Sequence, residues 1–123
     1  MTPLVFEAYS MLLSFEAALA RGKFSAICRR VEKRTVGPRR LSHTTNDACY
    51  AVNLACALYF KEVECLQRSA VLVCLLRDMG MRATLVIGAQ RLPFKAHAWV
   101  EVDGQVVNES SSSVELYGVL HRL

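Results

Sequence analysis

From Cys65 to Gly88 the chain reads CLQRSAVLVCLLRDMGMRATLVIG, and two hydrophobic periods meet inside it. Leu66, Ala70, Val71, Val73, Cys74 and Leu75 make a segment that is apolar on most sides, which predicts a buried helix. Gly80 follows as its C-terminal stop. Ala83-Thr84-Leu85-Val86-Ile87-Gly88 is then rich in β-formers and predicts a strand. Downstream, Ala96 to Val102 predicts a second strand, Asp103-Gly104 a turn, and Gln105 to Glu109 a third, with Pro93 in the preceding loop.

Upstream the pattern is helical. Leu4, Val5, Ala8, Met11, Leu12, Phe15 and Leu19 recur with helical period over residues 3–20. Thr2 is a suitable cap, Pro3 suits the first helical position, and Gly22 is the expected stop. A shorter helix is expected over 23–34, with a break at Gly37-Pro38. Thr44 or Thr45 can cap a third helix running to about Lys61, with Asp47 in its first turn. The helix from Cys65 is the fourth. N-terminal helices followed by a small antiparallel sheet give an α+β class. The expectation is one domain over 1–123, with a helical part to residue 61 and a catalytic helix and sheet beyond it. The apolar residues Val114, Leu116, Tyr117, Val119 and Leu120 give the tail the means to pack back.

Composition narrows the class further. Hydrophobic residues make up 53% and charged residues 21% of the 123, so the chain can bury a core and is not disordered. No apolar stretch reaches the ~20 residues of a membrane span. Glu7 and Glu16 interrupt the N-terminal region where a signal peptide would be apolar. Cys28, Cys49, Cys56, Cys65 and Cys74 are odd in number and lie mostly in helical patterns, which points to reduced thiols and a cytoplasmic protein. None is in C-x-x-C spacing, so neither a metal nor another cofactor is expected. Residues 21–40 hold eight cations against Glu32 alone, a net +7, whereas the rest of the chain is net −3. Such a segment is either a solvated face or a contact for an acidic partner. Phe24 is its one aromatic, which gives base stacking little support, so no nucleic acid is expected.

Two residues carry chemistry. Cys65 stands at a helix start, where unpaired N–H groups and the helix dipole stabilise a thiolate and can hold an oxyanion. His97 lies within Ala96-His97-Ala98-Trp99-Val100-Glu101-Val102. Alternation there puts Ala98, Val100 and Val102 on one face and His97, Trp99 and Glu101 on the other. A thiol and an imidazole are a cysteine nucleophile and its base. A third group must orient the imidazole, and Glu101, Asp103, Asn108 and Glu109 are candidates. A two-residue turn at Asp103-Gly104 would pair Val102 with Gln105, set His97 opposite Ser110 and put Asn108 on its side of the sheet. A three-residue loop Val102-Asp103-Gly104 would pair Glu101 with Gln105 and set His97 opposite Glu109. The second register matches polar with polar and apolar with apolar, and it is the expected one. His43 and His121 lack such a context, and the other four cysteines read as small buried hydrophobes.

Cys-Leu-Gln-Arg-Ser with its apolar helix, then residues 81–88, then Pro93-Phe94-Lys95-Ala96-His97-Ala98-Trp99-Val100-Glu101-Val102-Asp103-Gly104, resembles the lasso peptide biosynthesis B2 proteins. The strong likeness covers about residues 62–110. It implies a transglutaminase-like, papain-related fold and a cysteine peptidase that removes the leader from a lasso peptide precursor. The family's Cys-His-Asp triad falls on Cys65, His97 and Glu109, the last preceded by Asn108. Glutamate is a departure that keeps the charge and adds a methylene. The resemblance also implies partners: the precursor's leader peptide, a separate B1 leader-recognition protein, and an asparagine-synthetase-like lasso cyclase acting on the product. Arg68 and the basic segment are candidates for touching partner or leader. The rival readings are an acyltransferase using the same residues and a non-catalytic peptide-binding module on the same fold.

Overall fold

The computed structural model describes residues 3–40, 43–90, 94–109 and 111–123. Helix α1 (Pro3–Lys33) is helical throughout, where two helices meeting at Gly22 are expected. It is nonetheless not straight. Arg30 Nη1 donates to the Ser14 carbonyl at 3.0 Å, and the same guanidinium lies 4.9 Å from the centre of the Phe15 ring. At 1.5 Å rise per residue a straight helix would separate these positions by about 24 Å. The helical run therefore doubles back between Ser14 and Arg30, in the stretch that holds Gly22. Glycine weakens a helix by about 1 kcal/mol relative to alanine, so it permits a sharp bend without ending the helical hydrogen bonding. Both arms bury apolar residues: Leu4, Ala8, Leu12 and Phe15 on one, Ile27 and Val31 on the other. The Thr2 cap lies outside the described residues.

Thr44 caps α2 (Thr45–Leu58) with a capping box. Its hydroxyl accepts from Asp47 N–H at 3.2 Å, and its own N–H donates to the Asp47 carboxylate at 2.8 Å. The helix stops three residues before Lys61 because Tyr59 turns extended and buries its ring, its hydroxyl donating to the Leu12 carbonyl at 3.2 Å. Helix α3 (Cys65–Asp78) is the centre of the fold. From Gln67 to Arg77 only Arg68 is exposed. It ends at Gly80 (φ 91°), where a Cβ would stand 2.4 Å from Arg39 Cα.

The sheet has the order β3-β2-β1-β4. Strands β1 (Ala83–Gln90) and β2 (Lys95–Val102) pair antiparallel, with Leu85 opposite Val100, Ile87 opposite Ala98 and Gly88 opposite His97. Ala83, Leu85, Ile87, Ala98 and Val100 join the helices in one core, so this face of the sheet is the helix side. Val86, Gly88, His97 and Trp99 alternate onto the other face. Gly88 fits there because a Cβ would stand 2.7 Å from the Trp99 ring. Pro93 lies outside the described residues.

The hairpin after β2 overturns the expected register. Asp103 (φ 53°) and Gly104 (φ 79°) are both left-handed, the signature of a two-residue type I′ turn. Val102 therefore pairs with Gln105 and Glu101 with Val106 in β3 (Gln105–Val106). This turn follows the right-handed twist of the strands, and aspartate enters the left-handed region at small cost. Cross-strand side-chain matching, at about 0.2–1 kcal/mol per pair, is the weaker preference at a short edge strand. The tail does return: after the short helix α4 (Ser111–Val114), β4 (Gly118–Arg122) pairs with β1 across a bulge at Ile87/Gly88.

Candidate active site

The β3 ladder ends almost as soon as it starts, and the site is built where it ends. The last main-chain bond is Val107 N–H to the Val100 carbonyl at 3.0 Å. The next donor, Val100 N–H, is taken by the Asn108 side-chain oxygen at 3.1 Å. An unbroken ladder in this register would set Glu109 opposite Ala98. Because Asn108 replaces the main chain, Glu109 swings out of register instead, and its Oε2 meets His97 Nε2 at 2.5 Å. Imidazole and carboxylate are both about three-quarters buried, with side-chain exposures of 24% and 22%. The expected pair forms, but by a route opposite to the one expected: through a break in pairing, not through direct cross-strand opposition.

The other candidate orienting groups are occupied elsewhere. Glu101 accepts from Trp99 Nε1 at 3.2 Å and from Arg122 at 2.6 Å, so it binds β4 to β2. Asp103 is exposed in its turn. Asn108, besides holding Val100, donates to Ser69 Oγ at 3.4 Å, and Ser69 Oγ donates to the Ala98 carbonyl at 3.1 Å. Buried Ser69 thus joins α3 to the strand at Ala98, the residue next to His97, and to Asn108 at the end of the ladder. Three rings gather on the far face: His97 lies 6.1 Å from Trp99 and 5.5 Å from Tyr117, and the latter two are 6.1 Å apart. In the sequence Tyr117 is legible only as one of the tail's apolar residues, because one aromatic in an apolar tail carries no signal of where the tail lands.

Cys65 is the first residue of α3 and is half-buried. The N-cap, Glu64, makes no side-chain cap bond, and the first turn holds no acidic residue. Among the described residues the N–H groups there are thus left without a side-chain cap, as a thiolate or oxyanion site requires. Ser69 stands one turn further along the same helix face, so the anchor that ties α3 to Ala98 also fixes the turn bearing Cys65. Among the described residues no hydrogen bond joins the thiol to the imidazole. With Nε2 on Glu109, Nδ1 is the ring nitrogen left for a further partner.

The remaining cysteines are poor nucleophiles. Burial pushes the thiols of Cys28, Cys49 and Cys56 up, and that of Cys74 up to about 11. Arg68 beside Cys56 offsets part of that effect. Cys49 donates to the Val107 carbonyl at 3.5 Å, from under the end of the ladder. A cavity of about 380 Å³ opens beside the start of α3, with Leu19, Ile27 and Leu66 as apolar wall and Glu62 and Glu64 at its rim. Neither it nor another of about 510 Å³, around Thr45, Met81 and Asp103, is lined by any of the three candidate residues.

A model of the transglutaminase-like superfamily matches residues 10–122, nearly the whole chain. The chain belongs to the transglutaminase-like superfamily. The superfamily match takes in all three candidate residues and α1 from residue 10 onward. A shorter stretch, 57 residues, is 39% identical to the microcin J25-processing protein McjB of Escherichia coli. That stretch is 46% of this chain and 27% of McjB, so the chain spans only about a quarter of the curated relative it matches. No solved structure matches. Among the described residues no helix is long and apolar enough to cross a membrane.

Proposed function

We propose that this transglutaminase-like chain is a cysteine peptidase of lasso peptide maturation, acting on the junction between leader and core of a precursor. The observation that carries the reading is the bond between His97 Nε2 and Glu109, in a chain whose α3 begins at Cys65. The likeness to a microcin-processing protein supports the substrate class.

In the proposed cycle, His97 Nδ1 takes the proton of Cys65, and the thiolate attacks the junction carbonyl. First-turn N–H groups of α3 hold the oxyanion. The imidazolium gives its proton to the departing amine, which leaves as the new N-terminus of the core, and a thioester remains on Cys65. Water, deprotonated by His97, attacks the thioester and releases the leader as a carboxylic acid. Glu109 keeps the ring oriented and stabilises the imidazolium. The proposed partners are the leader, a leader-recognition protein of the B1 type that presents it, and a cyclase that takes up the core. The proposed compartment is the cytoplasm.

Superfamily membership supports one other reading, an acyltransferase passing the same thioester to an amine. Mass spectrometry of a precursor incubated with this chain and its leader-binding partner decides. Hydrolysis yields free leader and core whose masses sum to the precursor plus one water; transfer yields an amide with an added amine. Cys65→Ala and His97→Ala are each expected to abolish turnover, and full activity in either would refute the mechanism.

A further inference from the structure

Residues 21–40 carry net +7, and the fold divides six of their eight cations into two groups. Arg34 makes a two-point pair with Asp78 at 2.9 Å, and Arg40 pairs with Glu7 at 3.0 Å. Those charges are neutralised within the molecule. Arg21, Arg29 and Lys33 are exposed, and among the described residues none has an ion-pair partner. They converge with Arg30 on one groove of about 640 Å³ between the two arms of the bent α1.

The lining of that groove holds four cations and no carboxylate. Its floor is Ala17, Ala18 and Ala26, side chains small enough for another backbone to approach closely. The one acid of this stretch, Glu32, is not in the lining; its charge acts on Cys28, where it adds to burial in pushing the thiol up. Four uncompensated positive charges between two helix arms repel one another, and the repulsion is relieved when an anionic surface covers them.

We propose that this groove docks an acidic amphipathic peptide segment of a partner protein, its apolar edge on the alanines and its carboxylates on Arg21, Arg29 and Lys33. A groove between helices with an apolar floor and charged rims is the geometry that receives an amphipathic helix. Nucleic acid is the less favoured occupant, because an alanine floor offers bases no stacking surface. Arg30 is the exception among the four. It ties the arms together through Ser14 and Phe15, so it shapes the groove, and the other three supply the contact. The inference is independent of the peptidase reading, since it uses neither Cys65 nor His97.

The test is fluorescence anisotropy on the full chain. The probe is a labelled amphipathic peptide of about 18 residues built from glutamate, leucine and alanine at helical spacing. The same peptide with lysine for glutamate and an oligothymidylate of similar length are the controls. The acidic peptide is expected to bind, to weaken strongly between about 50 and about 500 mM salt, and to lose about tenfold or more in affinity in the Arg21→Glu/Arg29→Glu/Lys33→Glu variant. The corresponding triple glutamine variant is expected to lose less, and it carries the comparison if the glutamate variant melts early. No binding of the acidic peptide, equal binding by a folded variant, equal binding of the lysine peptide, or tighter binding of the oligothymidylate would each overturn the proposal. Loss of peptidase activity in Cys65→Ala with peptide binding intact would separate the two readings.

Discussion

Glu109 reaches His97 only because Asn108 ends the ladder, so these two residues do different work in the proposed mechanism. Glu109→Ala removes the group that orients the imidazole, and a loss of about 10³-fold in kcat is expected. Asn108→Ala keeps the Glu109 carboxylate but frees Val100 N–H and removes a bond to Ser69, so the carboxylate is less well placed. Misplacement of Glu109 by about 1 Å is then expected to lower kcat by up to about 100-fold. Asp103→Ala, in an exposed turn, should leave kcat unchanged and cost only stability, since alanine tolerates a positive φ less well than aspartate. Steady-state kinetics on the precursor checks all three, and a large kcat loss in Asp103→Ala would contradict the assignment. At this scale the sequence held the candidate residues: Cys65 at a helix start and His97 on a strand follow from period and punctuation. It did not hold the means of joining His97 to Glu109, because a side chain standing in for a main-chain acceptor has no periodic signature. Asn108 was legible only as a rival for the orienting role, and Ser69 only as part of a motif.

The elements are held to one another by polar groups that hydrophobic period does not report. Glu16, on the first arm of α1, accepts from Lys61 at 2.9 Å, from Gln67 at 3.3 Å and from Tyr59 at 3.4 Å. Lys61 is the main reason its carboxyl lies below its ordinary value of 4.5, with Gln67 and Tyr59 adding to the effect and burial opposing it. A carboxyl lowered on folding stabilises the protein above its unfolded pKa, and the contribution is lost as pH falls through the folded one. Glu16→Gln is therefore expected to melt below the wild type at pH 7 and to approach it as pH falls below the ordinary carboxyl value of 4.5. Melting temperatures across that range test it, and a gap that stays constant with pH would refute it. Helix existence was legible from period, and the Thr44 capping box from two residues three apart. Two element-scale features were not. Gly22 looks the same in sequence whether a helix stops or bends, and only the packing of Ile27 and Val31 back beside Phe15 requires the bend. The register after β2 turned on whether Asp103 would accept a left-handed φ, a choice between turn energy and side-chain matching that composition leaves open.

Across the whole molecule one buried side chain gathers segments far apart in the chain. Arg77, near the end of α3, donates to the carbonyls of Val31 and Arg34 at 2.6 and 3.2 Å, of Ala83 at 3.0 Å and of Leu123 at 2.5 Å. It thereby fixes the second arm of α1, the start of β1 and the residue after β4 around the C-terminal end of the central helix. Leu123 N–H in turn donates to the Leu85 carbonyl at 2.8 Å, so the tail that brings Tyr117 over His97 is held from both sides. A planar guanidinium with several donors can serve carbonyls in different directions, which a lysine ammonium on a flexible stem cannot do at once. Burial lowers the Arg77 pKa, the cost of keeping this cation out of water, and four carbonyl bonds offset that cost. Arg77→Met would keep the apolar volume and orphan those acceptors. The expected loss is about 3 kcal/mol, or roughly 10 °C in Tm. Arg77→Lys should recover only a minor part of it. Thermal denaturation followed by circular dichroism measures both, and an Arg77→Met protein melting within about 2 °C of the wild type would show that the gathered segments are held by their apolar contacts alone.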